Sequence, residues 1–373
     1  MTHEEPAKLA TYRFEMGPIR PPSEAASLLI RVTRNCQWNR CLFCPVYKET
    51  VFSVRPVEHV MRDIDIIREY IDFLEYPTHN IVIGEPLAYD AALRWNSLGM
   101  KSVFLQDADA LVIGAHNLVK ILAHLKNKFP DIERITSYSR SSTINKMTIE
   151  DLVSLHEAGL NRIHVGLESG SDNVLKMVRK GASKAIHVRA GLRVKEAGIE
   201  LSEYFMPGLG GRHLSKEHAI ESADAITQIN PDFIRLRPIA FPVRAPLYDM
   251  VSSGDFDRCN DIEIVQELHT FISNLEGISG YLVSDHILNL FADLKGQFPE
   301  DKKHLLSITQ RFLDMDAEEQ TLYRFGRRLG AFSSLNDLED TSRKIRISEI
   351  MAENNVNQDN IDSMIDEMMQ QFV

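Results

Sequence analysis

The chain has few cysteines, no long apolar run and no surplus of positive charge, and each shortage removes a class of protein. Four cysteines in 373 residues cannot staple a chain of this length, and the amino terminus has no signal-like segment. A secreted disulfide scaffold is therefore excluded, and a reducing cytoplasm is the expected compartment. No apolar stretch approaches the ~20 residues of a membrane-spanning helix. The formal charge of −11 argues against a broad nucleic-acid surface, because phosphate binding is driven by clustered Lys and Arg. A local basic pocket stays compatible with it. The length suits two or three domains, or one α/β barrel with an extension.

What cysteine there is lies together. Three of the four fall within nine residues, in Arg34-Asn35-Cys36-Gln37-Trp38-Asn39-Arg40-Cys41-Leu42-Phe43-Cys44-Pro45, directly after the apolar run Leu28-Leu29-Ile30-Arg31-Val32. Thiolates on a loop suit soft metals and iron–sulfur clusters. Three of them leave one metal position, or one iron of a four-iron cluster, without a cysteine. A structural zinc site would want four closed ligands, and no second Cys/His pair follows. The spacing also occurs in plant-type ferredoxins, where Cys259, more than two hundred residues on, would have to be the fourth ligand.

In order along the chain, strand and helix signals alternate. Residues 1–25, ending in Pro18, Pro21 and Pro22, read as an arm that packs on the domain without forming its core. Residues 26–247 form the main domain. Leu28 to Thr33 is its first strand, apolar enough for a buried parallel position, and the cysteine loop leaves its carboxyl end. Val57, Val60, Met61, Ile64 and Ile67 keep helical spacing to about Leu74, whereas residues 79–99 show no regular pattern. Further strands are expected over Lys101–Gln106, Arg134–Tyr138, Arg162–Leu167, Ile199–Met206 and Asp232–Ile239, with Gly159 and Gly198 ending intervening helices. This alternation argues a parallel α/β sheet with right-handed crossovers; periodicity does not separate an open sheet from a barrel. Beyond 248 the strand signals fade. Residues 248–373 are expected to be mostly helical, the polar, Met-rich stretch from Asn354 being either a mobile tail or a partner helix.

On these residues the chain resembles the radical S-adenosylmethionine superfamily, over about residues 26–245. The usual loop there is Cys-x3-Cys-x2-Cys with an aromatic residue before the last cysteine; Phe43 stands at that position, and the first spacing here is one residue longer. The resemblance implies an incomplete (β/α)6 barrel. It also implies a [4Fe–4S] cluster on Cys36, Cys41 and Cys44, with S-adenosylmethionine on the open iron and Phe43 among the cofactor contacts. After the second strand the superfamily places a Gly-Gly-Glu element that holds the cofactor's ammonium group. The aligned segment is Gln106-Asp107-Ala108-Asp109, whose Asp107 or Asp109 would accept from that group or else cap the next helix. Gly84-Glu85-Pro86, after the candidate strand Ile81-Val82-Ile83, is a second candidate for this element.

Gly166-Leu167-Glu168-Ser169-Gly170-Ser171 resembles the fourth-strand motif of oxygen-independent coproporphyrinogen oxidases and tRNA methylthiotransferases. That implies a ribose contact for Glu168 and a grip on the cofactor carboxylate for Lys180, twelve positions on. Tyr204, ahead of the turn Gly208-Leu209-Gly210-Gly211, matches another cofactor position; a tight strand-to-helix turn explains the glycines equally well. The 35 residues before Cys36 are too few for a cobalamin domain, and Cys259 alone cannot hold an auxiliary cluster.

Arg235 and Arg237 alternate onto one face of the sixth strand. Turned inward, they call for a substrate carboxylate or phosphate, or for buried ion pairs with the domain's own carboxylates. Arg140 is a candidate of the same kind. Ser284-Asp285-His286, with Asn289, gathers polar groups at what reads as a helix start, to face substrate or to cap. The resemblance thus implies an enzyme that cleaves S-adenosylmethionine reductively, generating a 5′-deoxyadenosyl radical that takes hydrogen from a substrate; the arginines and the acidic overall charge favour a small or medium anionic one. An external electron donor such as flavodoxin or ferredoxin would serve it. Two rivals stay open: an iron–sulfur electron-transfer or redox-sensing protein that binds no S-adenosylmethionine, and a scaffold with structural zinc.

Overall fold

The apolar run that begins at Leu28 forms β1 (Leu28–Arg31) in the computed structural model, which describes residues 13–76 and 83–369. The strand is shorter than expected because the chain turns at Val32 into a small hairpin, β2 (Thr33–Arg34) against β3 (Ser53–Val54), which brackets the cysteine loop. The other strands are β4 (Ser102–Gln106), β5 (Arg134–Ser139), β6 (Leu160–Glu168), β7 (Glu200–Phe205), β8 (Phe233–Leu236), β9 (Tyr281–Val283) and β10 (Gly296–Gln297). Parallel pairing joins β1 to β4, β4 to β5, β7 to β8 and β8 to β9. Helices separate the strands, so the fold is α/β.

The described chain divides into two compact units. One takes in the residues up to Gln37, Val51–Tyr138 and Glu150–Arg162; the other takes in Trp38–Thr50, Ser139–Ile149 and the residues from Ile163 on. In the first unit β4 is buried along its whole length, as a central parallel strand should be. The helix Val57–Glu75 presents Val60, Ile64, Ile67 and Ile71, all fully buried and spaced three or four apart. Within the stretch that shows no regular pattern, Pro86–Ser97 forms a helix that the sequence hides. Pro86 opens it at the position where a missing N–H is harmless, and Ala88, Ala92 and Trp95 make a narrow buried stripe. Trp95 completes its burial by donating Nε1–H to the Ser102 carbonyl at 2.9 Å.

The second unit follows the strand order β6, β7, β8, β9, β10. The carboxyl-terminal region is mostly helical, with helices at Pro246–Ser253, Asp261–Asn274, Lys302–Leu313, Ala317–Arg328, Thr341–Glu353 and Ile361–Met369. Strand signals do not end at residue 248, however. Tyr281–Val283 continues the parallel ladder beside β8, and Gly296–Gln297 returns antiparallel to it. Both are too short for an alternation to register. Ser284-Asp285-His286 consequently follows a strand rather than opening a helix. The stretch beyond Asn354 likewise packs on its own chain: Ile361 and Ile365 are buried, and Asp362 and Asp366 pair with Arg324 and Arg258.

Candidate functional site

Cys36 lies between two residues tied to the turn after β4. The Asn35 N–H donates to Asp107 Oδ2 at 3.1 Å, and Gln37 Nε2 donates to Asp109 Oδ2 at 2.7 Å. Asp107 is wholly buried, and its Oδ2 also accepts from Arg31 Nε and Nη2 at 3.0 and 2.7 Å. Charge-assisted bonds of this kind are about twice as strong as neutral ones. Asn35 adopts φ 68°, a left-handed conformation that Asn accepts more readily than other side chains. The amino-terminal arm lies across the same turn. Gly17 N–H donates to Gln106 Oε1 at 2.8 Å, and a Cβ on Gly17 would collide with the Asp107 carboxylate. Burial raises the Glu15 pKa, but Arg34, Arg55 and Arg31 outweigh it and hold the group below its ordinary value.

Asp107 and Asp109, expected at the cofactor's ammonium group, thus have protein partners on either side of Cys36. The other candidate, Glu85, precedes the helix Pro86–Ser97 and accepts from the Phe14 N–H at 3.4 Å. Ile81 and Val82 of its expected strand lie outside the described residues.

The second unit anchors the rest of the loop. Leu42 N–H donates to the Val178 carbonyl at 3.0 Å, and the Leu42 carbonyl accepts from Leu247 N–H at 2.9 Å. Leu42 and Phe43 pack on a cluster that includes Val174, Val178, Met206 and Leu209. Cys41 and Cys44, both partly buried, are therefore carried on a loop fixed at its middle. Lys180 Nζ lies 5.8 Å from the centre of the Phe43 ring, within cation–π range. The same Nζ donates to Glu168 Oε1 at 3.1 Å, and each of the two side chains keeps 12% of its surface exposed. The pair is enclosed yet reachable. Gly166 makes it possible, since a Cβ there would strike both Glu168 Oε1 and Lys180 Nζ.

Arg140 supports this corner through the backbone, donating from Nη2 to the Lys180 carbonyl at 2.8 Å. Its guanidinium stands 5.1 Å from the Trp38 ring centre, and Trp38 Nε1–H donates to the Arg179 carbonyl at 2.8 Å. Tyr204 is buried on β7, its ring centre 6.4 Å from that of His164.

The remaining substrate candidates do not stay together. Arg235 is buried and donates to Ser202 Oγ at 3.0 Å and to Asp285 at 2.5 Å, so the ion pair foreseen as the alternative to a substrate contact is present. Arg237 falls beyond the end of β8 and is exposed. His286 accepts from Leu288 N–H at 3.3 Å; burial, and then Arg237, push its pKa down to about 4. Ser284 and Asn289 bond each other at 3.0 Å, and Asn289 Nδ2 also donates to the Leu236 carbonyl.

Sequence reasoning missed the buried titratable groups beside the site. Glu203 on β7 is fully buried, and burial, with Glu168 adding and Lys180 opposing, raises its pKa well above the carboxylate range. His187 accepts from or donates to Ser141 Oγ at 2.6 Å; burial, then Lys180 and Arg140, push its pKa down to about 3. His218 donates from Nε2 to the Met206 carbonyl at 3.0 Å, which leaves Nδ1 to accept from the Ser169 hydroxyl at 2.8 Å. Glu267 accepts from Gly208 N–H at 2.6 Å and from Ser215 Oγ at 2.5 Å. The residue after Glu168 and the glycine turn after Tyr204 are so held by one buried network. Helical spacing from Ser215 to Ile229 marks a helix, but gives no sign that His218 turns its ring to Ser169.

The donor set fits a four-iron cluster with its S-adenosylmethionine. Three thiols of the loop can each serve one iron, while the Glu168 carboxylate suits paired ribose hydroxyls and Lys180 suits a carboxylate. Among the described residues no three His, Cys, Asp or Glu side chains gather around a single metal-ion position; one thiolate on each of three irons does not ask for that.

Residues 30–223 match the family model described as "Radical SAM superfamily". The chain is 20% identical over 293 residues to a tRNA uridine(34) acetyltransferase of Methanocaldococcus infernus, covering 70% of this chain and 52% of that protein. The corresponding protein of Methanocaldococcus jannaschii is similar at 20% over 291 residues. The chain spans about half the length of these curated relatives. Among solved structures, the cobalamin-dependent radical enzyme OxsB is similar with TM-score 0.47 and 15% identity, over 93% of this chain and 53% of that one. Coproporphyrinogen III oxidase from Escherichia coli is similar with TM-score 0.45 and 14% identity, over 68% and 53%. No described helix is long and apolar enough to cross a membrane.

Proposed function

The chain belongs to the radical SAM superfamily, and we propose that Cys36, Cys41 and Cys44 hold its cluster while Phe43, Glu168, Lys180 and Tyr204 hold its S-adenosylmethionine. When bound, the reduced cluster and S-adenosylmethionine supply a 5′-deoxyadenosyl radical able to take hydrogen from a substrate. The protein's own residues bind, orient and exclude water. Glu168 accepts from the ribose hydroxyls, Lys180 donates to the methionine carboxylate, and Phe43 covers the lysine from the loop side. Asp107 and Asp109 take a positioning role, fixing Asn35 and Gln37 and with them Cys36. Burial opposes the charged forms of Glu203 and His187, so Glu168 is the carboxylate that pairs with Lys180, and the ammonium group keeps further donors for an anionic ligand.

The observation that carries this reading is the Glu168–Lys180 pair, lying over Gly166 with Phe43 against the ammonium group. Residues from separate stretches of sequence meet there in the chemistry the cofactor needs. The substrate is proposed to be a small anionic molecule, since a chain of net charge −11 offers little to an extended phosphate backbone. Arg237 and Arg140 are the cations proposed to meet it. An electron carrier of the flavodoxin or ferredoxin class is the proposed reductant.

Anaerobic reconstitution, dithionite reduction and an assay for 5′-deoxyadenosine test the reading. Product that depends on Cys41 and on S-adenosylmethionine is expected. A complete four-iron cluster whose spectrum ignores S-adenosylmethionine and yields no product would instead favour electron transfer.

A further inference from the structure

A cavity of about 300 Å³ lies within the second unit, away from the Glu168–Lys180 pair. Its walls come from the segment after β8, the start of the helix Asp261–Asn274, the helix Ala317–Arg328 and the carboxyl-terminal helix Ile361–Met369. Four guanidinium groups line it: Arg212, Arg258, Arg324 and Arg328. Concentrating them in one cavity of a net-acidic chain requires anions.

The anions present come from two sources. Asp261 is part of the same wall and bonds Arg328 at 2.7 Å and Arg324 at 3.2 Å; Asp257 and Glu263 bond Arg212 at 3.0 and 2.7 Å. The other two carboxylates, Asp362 for Arg324 and Asp366 for Arg258, are brought by the carboxyl-terminal helix. They are four residues apart and so project from one helical face. Ile361 and Ile365 are the only buried side chains of that nine-residue helix among its described residues, a narrow apolar hold. Arg328 keeps its Nε buried without a hydrogen-bond partner. Burial and the neighbouring Arg212 lower the Arg258 pKa, with Asp362 opposing. Supply of donors exceeds what the fixed wall can accept.

We propose that this cavity binds a small multivalent oxyanion of the phosphate or pyrophosphate class, with Asp362 and Asp366 as built-in competitors and the carboxyl-terminal helix as the element displaced. Guanidinium forks match phosphate oxygens two at a time. Two carboxylates on successive turns hold the places of two such groups. The helix is closed by ion pairs at its polar face rather than by a broad apolar one, so a ligand that replaces those pairs can release it. No residue of the cysteine loop lines the cavity, and the proposal does not rest on the reading given for that loop.

Full-length protein, inorganic pyrophosphate and two measurements test the idea. Calorimetric titration at fixed ionic strength is expected to show saturable binding, several-fold tighter in D362N/D366N and lost in R258Q/R324Q, with R258K/R324K retaining it as the control for folding. Hydrogen exchange of the wild-type protein, which needs no variant, is expected to quicken in residues 361–369 when pyrophosphate is added. No binding by either wild type or D362N/D366N, or equal affinity in the two, would overturn the proposal. Exchange in 361–369 that pyrophosphate leaves unchanged would do so as well.

Discussion

At the end of β4 the carboxylates of Asp107 and Asp109 are engaged by Arg31, Asn35 and Gln37 of their own unit, whereas at the end of β6 Glu168 shares one lysine and keeps part of its surface in reach of solvent. Both turns carry acids at the carboxyl ends of strands, where α/β proteins place their chemistry. The first is closed and the second open. An acid whose acceptor sites are filled by backbone N–H and guanidinium groups positions a loop; one with a single partner and lone pairs to spare can still bind a ligand. Their partners, rather than the acids themselves, separate the two roles.

The largest effect expected falls on the cysteine loop. C41A should abolish 5′-deoxyadenosine formation, to the limit of the assay, and cut the iron content after reconstitution. D107N sharpens the comparison. It removes the charge of a wholly buried acceptor and leaves the partly buried Arg31 with Glu15, at 3.4 Å, as its carboxylate partner, so a fall in Tm and poorer cluster retention are expected. E168Q should leave Tm and iron content near those of the wild type and raise the KM for S-adenosylmethionine ten-fold or more, roughly the 1.5–3 kcal/mol of one charge-assisted bond. Equal loss of cluster in D107N and E168Q would break the distinction drawn between the two turns.

A smaller effect separates them by pH. His187 is neutral in the fold with a pKa near 3 against an ordinary 6.5. The unfolded chain therefore takes up a proton below 6.5 that the native state refuses. Stability falls as pH drops from 6.5 toward 3, by up to about 1.4 kcal/mol per unit. Glu203 acts in the other sense: its raised pKa keeps it protonated in the fold, so its contribution is lost as pH rises above the 4.5 of the ordinary group. H187N should flatten the acid limb of a Tm-against-pH curve and E203Q the alkaline limb.

The features legible in the sequence were those written in contiguous residues. The strands from Leu28 to Leu236 and the helix from Val57 announce themselves by apolar runs and spacing, and the loop by its cysteines. Helix Pro86–Ser97 stayed hidden because two of its three buried side chains are alanines, which leave little apolar signal. β9 and β10 are three and two residues long, shorter than any alternation. At the site, Glu168 and Lys180 could be singled out by spacing, but the pairing of Asp107 with Arg31, and the turning of His218 toward Ser169, depend on contacts 76 and 49 residues apart in the chain. Only the fold brings such partners together.

The smallest effect expected is the one that discriminates best between the superfamily reading and an electron-transfer protein with four cysteine ligands. Cys259 is buried, and burial, with Glu267 and Glu263 adding to it, pushes its thiol up to about 12. A ligand must be a thiolate. At neutral pH Cys259 is a thiol, its ionisation opposed by burial and by the nearby Glu267 and Glu263. C259S should therefore leave iron content, cluster spectrum and 5′-deoxyadenosine formation within the scatter of the wild type, with a change in unfolding free energy of about 1 kcal/mol or less for so nearly isosteric an exchange. Loss of the cluster in C259S, with the fold intact by circular dichroism, would give the fourth iron to a cysteine and leave no open position for S-adenosylmethionine.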